Sequence, residues 1–132
     1  MSTKKILIVE DDKMLCTIFE MFISELGHEM LGIAQTGEEA IDLCKNNLPD
    51  VILMDIHLQG KIDGIQSARV IQEKFNIPVI FISSDIEEET VHKAIFHNTY
   101  GFLVKPVYKT TLSTAIEFAY SKHKFDQEHH KI

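Results

Sequence analysis

Four apolar runs in this chain each end in a polar group, and the four groups differ in kind. Ile6-Leu7-Ile8-Val9 runs into Glu10-Asp11-Asp12, and Val51-Ile52-Leu53-Met54 runs into Asp55. Val79-Ile80-Phe81-Ile82 ends in Ser83-Ser84, and Phe102-Leu103-Val104 ends in Lys105-Pro106. Carboxylates, a hydroxyl and an amine around one acid suit phosphoryl transfer onto Asp55. A carboxylate serves as a nucleophile that forms an acyl phosphate, and the incoming group needs a cation to offset its charge. Like charges about 4 Å apart repel by roughly 4 kcal/mol at an effective dielectric of about 20. Glu10, Asp11 and Asp55 together must therefore take up protons or bind a cation. Magnesium fits, being a hard ion that accepts one or two carboxylates, keeps several waters and bridges to phosphate oxygens. Each residue also has a plainer reading. An acidic triplet opens helices, and Asp12 is assigned that capping role. Ser83 could cap a helix, but Ser84-Asp85-Ile86-Glu87 reads as the cap and leaves Ser83 for the site. Lys-Pro alone says little about Lys105.

The elements that must position these groups alternate along the chain. Strands are expected at about 5–9, 29–34, 51–55, 79–83 and 101–105. The first helical pattern carries Leu15, Ile18, Phe19, Phe22, Ile23 and Leu26 at spacings of three and four and stops at Gly27. The second opens on Thr36-Gly37-Glu38-Glu39, a capping-box pattern, with Ala40, Ile41 and Cys44 inward. A third spans about 65–75. A fourth starts near Asp85 and carries Val91, Ala94 and Ile95. The last runs over about 109–124 with Leu112, Ala115, Ile116 and Ala119 on one face. Such alternation predicts an α/β fold, a five-stranded parallel sheet with helices on both faces. Right-handed crossovers favour the flavodoxin-like, doubly wound strand order 2-1-3-4-5. In such a sheet the strand ends converge on one crevice.

Length and composition bound the rest. The chain has 132 residues, 45% hydrophobic and 25% charged, which suits one domain that buries roughly two thirds of its unfolded surface. No apolar stretch reaches the roughly 20 residues that span a bilayer, and the N-terminus lacks a secretory h-region. Cys16 and Cys44 fall in helical patterns and read as reduced core thiols of a cytoplasmic protein. A formal net charge of −7 argues against a nucleic-acid surface. His92, His97 and the His129-His130 pair read as surface histidines. Residues 125–132 read as a polar tail or linker stub.

These segments, in this order and spacing, make the chain resemble the receiver domain of two-component response regulators over residues 3–124. Its marks are Glu10-Asp11-Asp12, Leu53-Met54-Asp55, Asp63-Gly64, the Pro78-to-Ser84 run and Lys105-Pro106. The resemblance implies that Asp55 is phosphorylated by a sensor histidine kinase or phosphotransfer protein. It implies Mg²⁺ held by Asp11, Asp55 and the backbone carbonyl of His57, with Glu10 acting through water. Lys105 and Ser83 would bind the phosphoryl oxygens, while Ser83 and Phe102 would form a switch acting on the fourth helix, fifth strand and fifth helix. That face would serve a downstream protein, an effector domain or a homodimer. The family are phosphoacceptors that catalyse only their own phosphorylation and dephosphorylation. His57 and Asp85 take rim positions that influence hydrolysis of the acyl phosphate. The loop after Asp55 is about one residue longer than the commonest receiver pattern and has Gln59 where proline is frequent.

Three other classes compete. A pseudo-receiver would keep the fold as a protein-binding module without the chemistry, which the retention of Asp11, Asp55, Ser83 and Lys105 opposes. A phosphatase with an aspartyl nucleophile would need a general acid two residues on, where His57 is an imperfect candidate. A flavodoxin would need a phosphate-cradling loop where this chain has acids.

Overall fold

The runs with four consecutive apolar residues become the central strands, where helices cover both faces and no polar alternation is tolerated. The structure is a computed structural model that describes residues 2–96 and 100–129. Its strands are β1 (Lys5–Val9), β2 (Glu29–Ala34), β3 (Val51–Asp55), β4 (Val79–Ser83) and β5 (Gly101–Val104). Its helices are α1 (Lys13–Glu25), α2 (Gly37–Asn46), α3 (Gly64–Phe75), α4 (Glu88–Phe96) and α5 (Lys109–Glu128). All pairings are parallel, in the order β2-β1-β3-β4-β5, so the predicted flavodoxin-like α/β topology is the observed one. The edge strands β2 and β5 are only partly covered, whereas β3 and β4 are buried throughout.

Alternate strand residues feed two cores. Leu7, Val9, Ile52, Met54, Val79 and Phe81 face Ala40, Ala68, Ile71 and Ala94 of α2, α3 and α4. Ile6, Ile8, Leu53, Ile80 and Ile82 face Phe19, Ile23, Leu112 and Ile116 of α1 and α5. The first helix ends as expected, with Leu26 at the cap and Gly27 at φ 84°. Cys16 and Cys44 are unpaired and buried, and burial pushes the Cys44 thiol up to about 11.

Four expectations need correction. β5 ends at Val104, one residue short of the expected limit. α4 begins at Glu88, later than Asp85, because Asp85 folds back into the preceding turn and accepts from the Glu87 N–H at 2.9 Å. Of its apolar residues only Ala94 is buried, and Ile95 is 59% exposed, since this short helix touches the sheet along a narrow line. α5 continues through Glu128, beyond the expected 124. Its last turns are held because His123 is buried and the Tyr100 hydroxyl donates to Asp126 Oδ2 at 2.9 Å. His92 and His129 are exposed, while His97 and His130 lie outside the described residues, as do 131–132 of the expected tail. No helix among the described residues is long and apolar enough to cross a membrane.

Candidate functional site

β1 and β3 are neighbours, with Val9 opposite Met54, so the residues after them meet at the C-terminal edge of the sheet. Asp12 is committed to α1: its Oδ1 accepts from the Met14 and Leu15 N–H groups at 2.9 and 3.2 Å. The Asp12 N–H in turn donates to Glu10 Oε2 at 3.1 Å. Glu10 and Asp11 are thereby left beside Asp55, and ligating oxygens of the three lie within 4.8 Å of one another. The Lys105 N–H donates to the Ser83 carbonyl at 3.0 Å, which fixes where the lysine leaves β5. Its Nζ then reaches 3.2 Å from Glu10 Oε1 and 3.5 Å from Asp55 Oδ2.

The electrostatics are unbalanced. Glu10 is 2% exposed and Asp55 6%, and one ammonium serves both. Burial, reinforced by the neighbouring Asp55 charge, pushes the Glu10 carboxyl up to about 7 against the pull of the Asp12 N–H and Lys105. Burial opposes the Lys105 charge, yet Asp55 and Glu10 together hold its ammonium above its ordinary value. Glu10 Oε1 is buried without a hydrogen bond, its Lys105 contact being an ion pair of poor hydrogen-bond geometry. A buried carboxylate oxygen left unsatisfied is costly. An excess of hard oxygen donors over positive charge with one such oxygen orphaned fits a hard divalent cation such as Mg²⁺.

The loop from Ile56 to Asp63 forms one wall. The His57 N–H donates to Asp55 Oδ1 at 3.1 Å, and the Gly64 N–H donates to the Ile56 carbonyl at 2.8 Å. A side chain at Gly64 would drive its Cβ into the Asp55 carbonyl oxygen, so the close approach of α3 to β3 requires glycine.

Ser83 lies opposite Val104, and Phe102 lies opposite Phe81 two residues earlier. Ser83 and Phe102 therefore project to the same face of adjacent strands, with Phe102 partly buried against the α2–α3–α4 core. The Ser83 hydroxyl accepts from the Asp85 N–H at 2.9 Å, which still leaves its proton to donate. At the rim, His57 Nε2 lies 2.9 Å from Asp85 Oδ2, and the Thr90 hydroxyl donates to the same oxygen at 2.9 Å. The Glu87 N–H, then His57 and Thr90, hold the Asp85 carboxyl below its usual range. Glu10, Asp11, Asp55, Ser83, Asp85 and Lys105 thus lie at one edge of the sheet, with Phe102 one layer further in. The role of Thr90 escapes sequence reading, because Asp85 lies outside the helix and no helical spacing relates the two. Glu38 escapes it too: its carboxylate turns onto the Ile56–Asp63 loop, 23 residues away at Lys61.

Comparison with known proteins agrees with this layout. Residues 6–117 match the family described as the response regulator receiver domain. The transcriptional regulatory protein PdtaR of Mycobacterium tuberculosis is 30% identical over 119 residues, which is 90% of this chain and 58% of that protein. The probable C4-dicarboxylate response regulator DctR of Bacillus subtilis is 29% identical, over 86% of this chain and 50% of that one. This chain thus spans about half the length of these relatives. The receiver domain of a modulated diguanylate cyclase from Desulfovibrio desulfuricans superposes with a TM-score of 0.90 and 36% identity, covering 95% of this chain and 99% of that one. NtrX from Brucella abortus superposes at 0.87 with 28% identity, over 96% of this chain and 29% of that one.

Proposed function

The chain belongs to the response regulator receiver domain family, and from that premise we propose that Asp55 accepts a phosphoryl group from a phosphohistidine. The donor is a sensor histidine kinase or phosphotransfer protein. An Asp55 oxygen attacks phosphorus, the donor's P–N bond breaks, and its electron pair returns to the imidazole. The His57 N–H holds Asp55 Oδ1 in a fixed direction, and Lys105 stands ready to pair with phosphoryl oxygens. Asp11, Asp55 and the His57 backbone carbonyl would hold Mg²⁺, with Glu10 acting through water. Bound there, Mg²⁺ supplies the charge that offsets both the carboxylates and the arriving phosphoryl group.

Phosphorylation adds about −1.5 to −2 charges and three strong acceptors at one point. Ser83 donates its hydroxyl proton to one of them and gives up its place beside the Asp85 N–H. Phe102, on the same face, occupies the space left. The α4, β5 and α5 surface changes accordingly and is read by a downstream protein, an effector domain or a second copy. In this reading the phosphoacceptor module includes α5 through Glu128, and the protein works in the cytoplasm. It acts on no other substrate and catalyses only its own phosphorylation and dephosphorylation.

The supporting observation is three carboxylates within 4.8 Å facing a lysine that reaches two of them. The test is intact mass after incubation with acetyl phosphate and Mg²⁺. One phosphoryl adduct is expected on the wild type, dependent on Mg²⁺ and absent from Asp55→Asn. An unmodified wild type across several donors would instead favour a phosphorylation-independent pseudo-receiver.

A further inference from the structure

We infer that Glu38 is a positioning residue for the cation, clamping the loop that carries the His57 carbonyl; the inference rests on the Mg²⁺ reading above. The Ile56–Asp63 loop is held in the middle as well as at its ends. Its ends are secure. The Ile56 N–H donates to the Ile82 carbonyl at 3.2 Å, and the Gly64 N–H closes back on the Ile56 carbonyl at 2.8 Å. Leu58 is buried. Beyond it Gln59, Gly60 and Lys61 are exposed, and this outer segment is gripped from α2. Glu38 Oε1 accepts from the Lys61 and Ile62 N–H groups at 3.1 and 3.2 Å.

The fit is two-sided. Gly60 adopts φ 112°, and a Cβ there would come 2.9 Å from Glu38 Oε2. The turn thus packs against the carboxylate, and its backbone conformation requires glycine. Glu38 itself stands on rigid ground. Thr36 caps α2 by accepting from the Glu39 N–H at 3.1 Å, and Gly37 packs directly on Ser67 of α3. An acid in a first turn ordinarily complements the helix dipole. Exposed Glu39 does that here, whereas half-buried Glu38 faces the loop. A carboxylate accepting two backbone N–H groups makes charge-assisted bonds, the stronger kind. Without them the 59–62 segment is released, and the His57 carbonyl, which would face the cation in this reading, is held less firmly.

Partners that orient a ligand typically change metal affinity by about 10–100-fold. Glu38 acts through several residues of loop, so Glu38→Ala should weaken Mg²⁺ binding by about tenfold, the low end of that range. Mg²⁺ titration followed by amide NMR reads this, with hydrogen exchange at Lys61 and Ile62 reporting the clamp itself. Exchange at both amides should accelerate in Glu38→Ala. Glu38→Gln should lose less affinity than Glu38→Ala, because its amide oxygen accepts the same two bonds without the charge assistance. Glu38→Ser, whose side chain is too short to reach the two N–H groups, should repeat the loss and provides a second route should Glu38→Ala fold poorly.

Unchanged affinity in Glu38→Ala would overturn the inference. So would an equal loss in Glu38→Gln, since negative charge and not position would then be responsible. A wild type that shows no Mg²⁺ response overturns the underlying function reading instead, an outcome distinct from wild-type binding that survives every Glu38 variant.

Discussion

At the N-terminal edge of the sheet, Lys4 is 3% exposed, and its ammonium lies 2.8 and 3.1 Å from the two oxygens of Glu117. It also donates to the Ser2 carbonyl at 3.1 Å and lies 4.9 Å from the centre of the Tyr120 ring. Beside it, His28 Nδ1 accepts from the Lys4 N–H at 3.1 Å; elsewhere on α5, His123 Nε2 lies 3.2 Å from Asn76 Oδ1. At the C-terminal edge, Glu10 is equally buried but shares one ammonium with Asp55 and leaves an oxygen orphaned. The same sheet thus buries charge twice, once paired and once in excess. Paired burial joins α5 to β1 and β2. Charge buried in excess is costly until something offsets it, whereas charge buried in a pair is already compensated.

The sharpest break in this comparison is Lys4→Ala. Removing one partner of a buried pair costs about 3–5 kcal/mol, and Glu117 is a quarter exposed, with a side-chain exposure of 25%. Urea denaturation should therefore register a loss of about 2 kcal/mol, with the proposed phosphoryl acceptance by Asp55 unaffected. A loss below a few tenths would mean that the N-terminal edge is no better paired than a surface bridge.

Glu10→Gln should act in the opposite sense. With one buried charge removed, stability in metal-free buffer should rise by up to about 1 kcal/mol, while Mg²⁺ affinity falls. A clear loss of stability would place Glu10 among the structural pairs.

The smallest effect is a pH dependence at the paired edge. Burial holds His123 and His28 below their ordinary value of 6.5, against the upward pull of Asn76 and Asp126 on the first and of Glu117 on the second. The unfolded chain then binds more protons than the folded one as the pH drops. Their contribution to stability is fully present above 6.5 and is lost as the pH falls through 6.5 toward the lowered folded values. Denaturation midpoints at a series of pH values should show this slope, shallower in His123→Gln. An unchanged slope in that variant would exclude His123 as a source.

The strand bounds were readable because a buried parallel strand must be apolar on both faces, which is why the runs at Val51–Asp55 and Val79–Ser83 stand out in the sequence. Helix ends were less so. α5 outruns its apolar pattern because Tyr100 and Asn76, from elsewhere in the chain, hold its polar last turns. Ile95 sits at helical spacing from Val91, yet it is exposed because no second layer among the described residues covers it.

By itself the sequence determined which groups end the central strands. Order and polarity along one chain suffice to predict that Glu10, Asp11, Asp55, Ser83 and Lys105 converge once the sheet is parallel. Only the tertiary structure decided what holds them. The grip of Glu38 on Lys61 and Ile62, the bridge from His57 through Asp85 to Thr90, and the burial of His28 and His123 join residues remote in the chain or outside any regular repeat. Periodicity reports which face of its own element a residue occupies. It carries no information on which loop or helix end that face will meet.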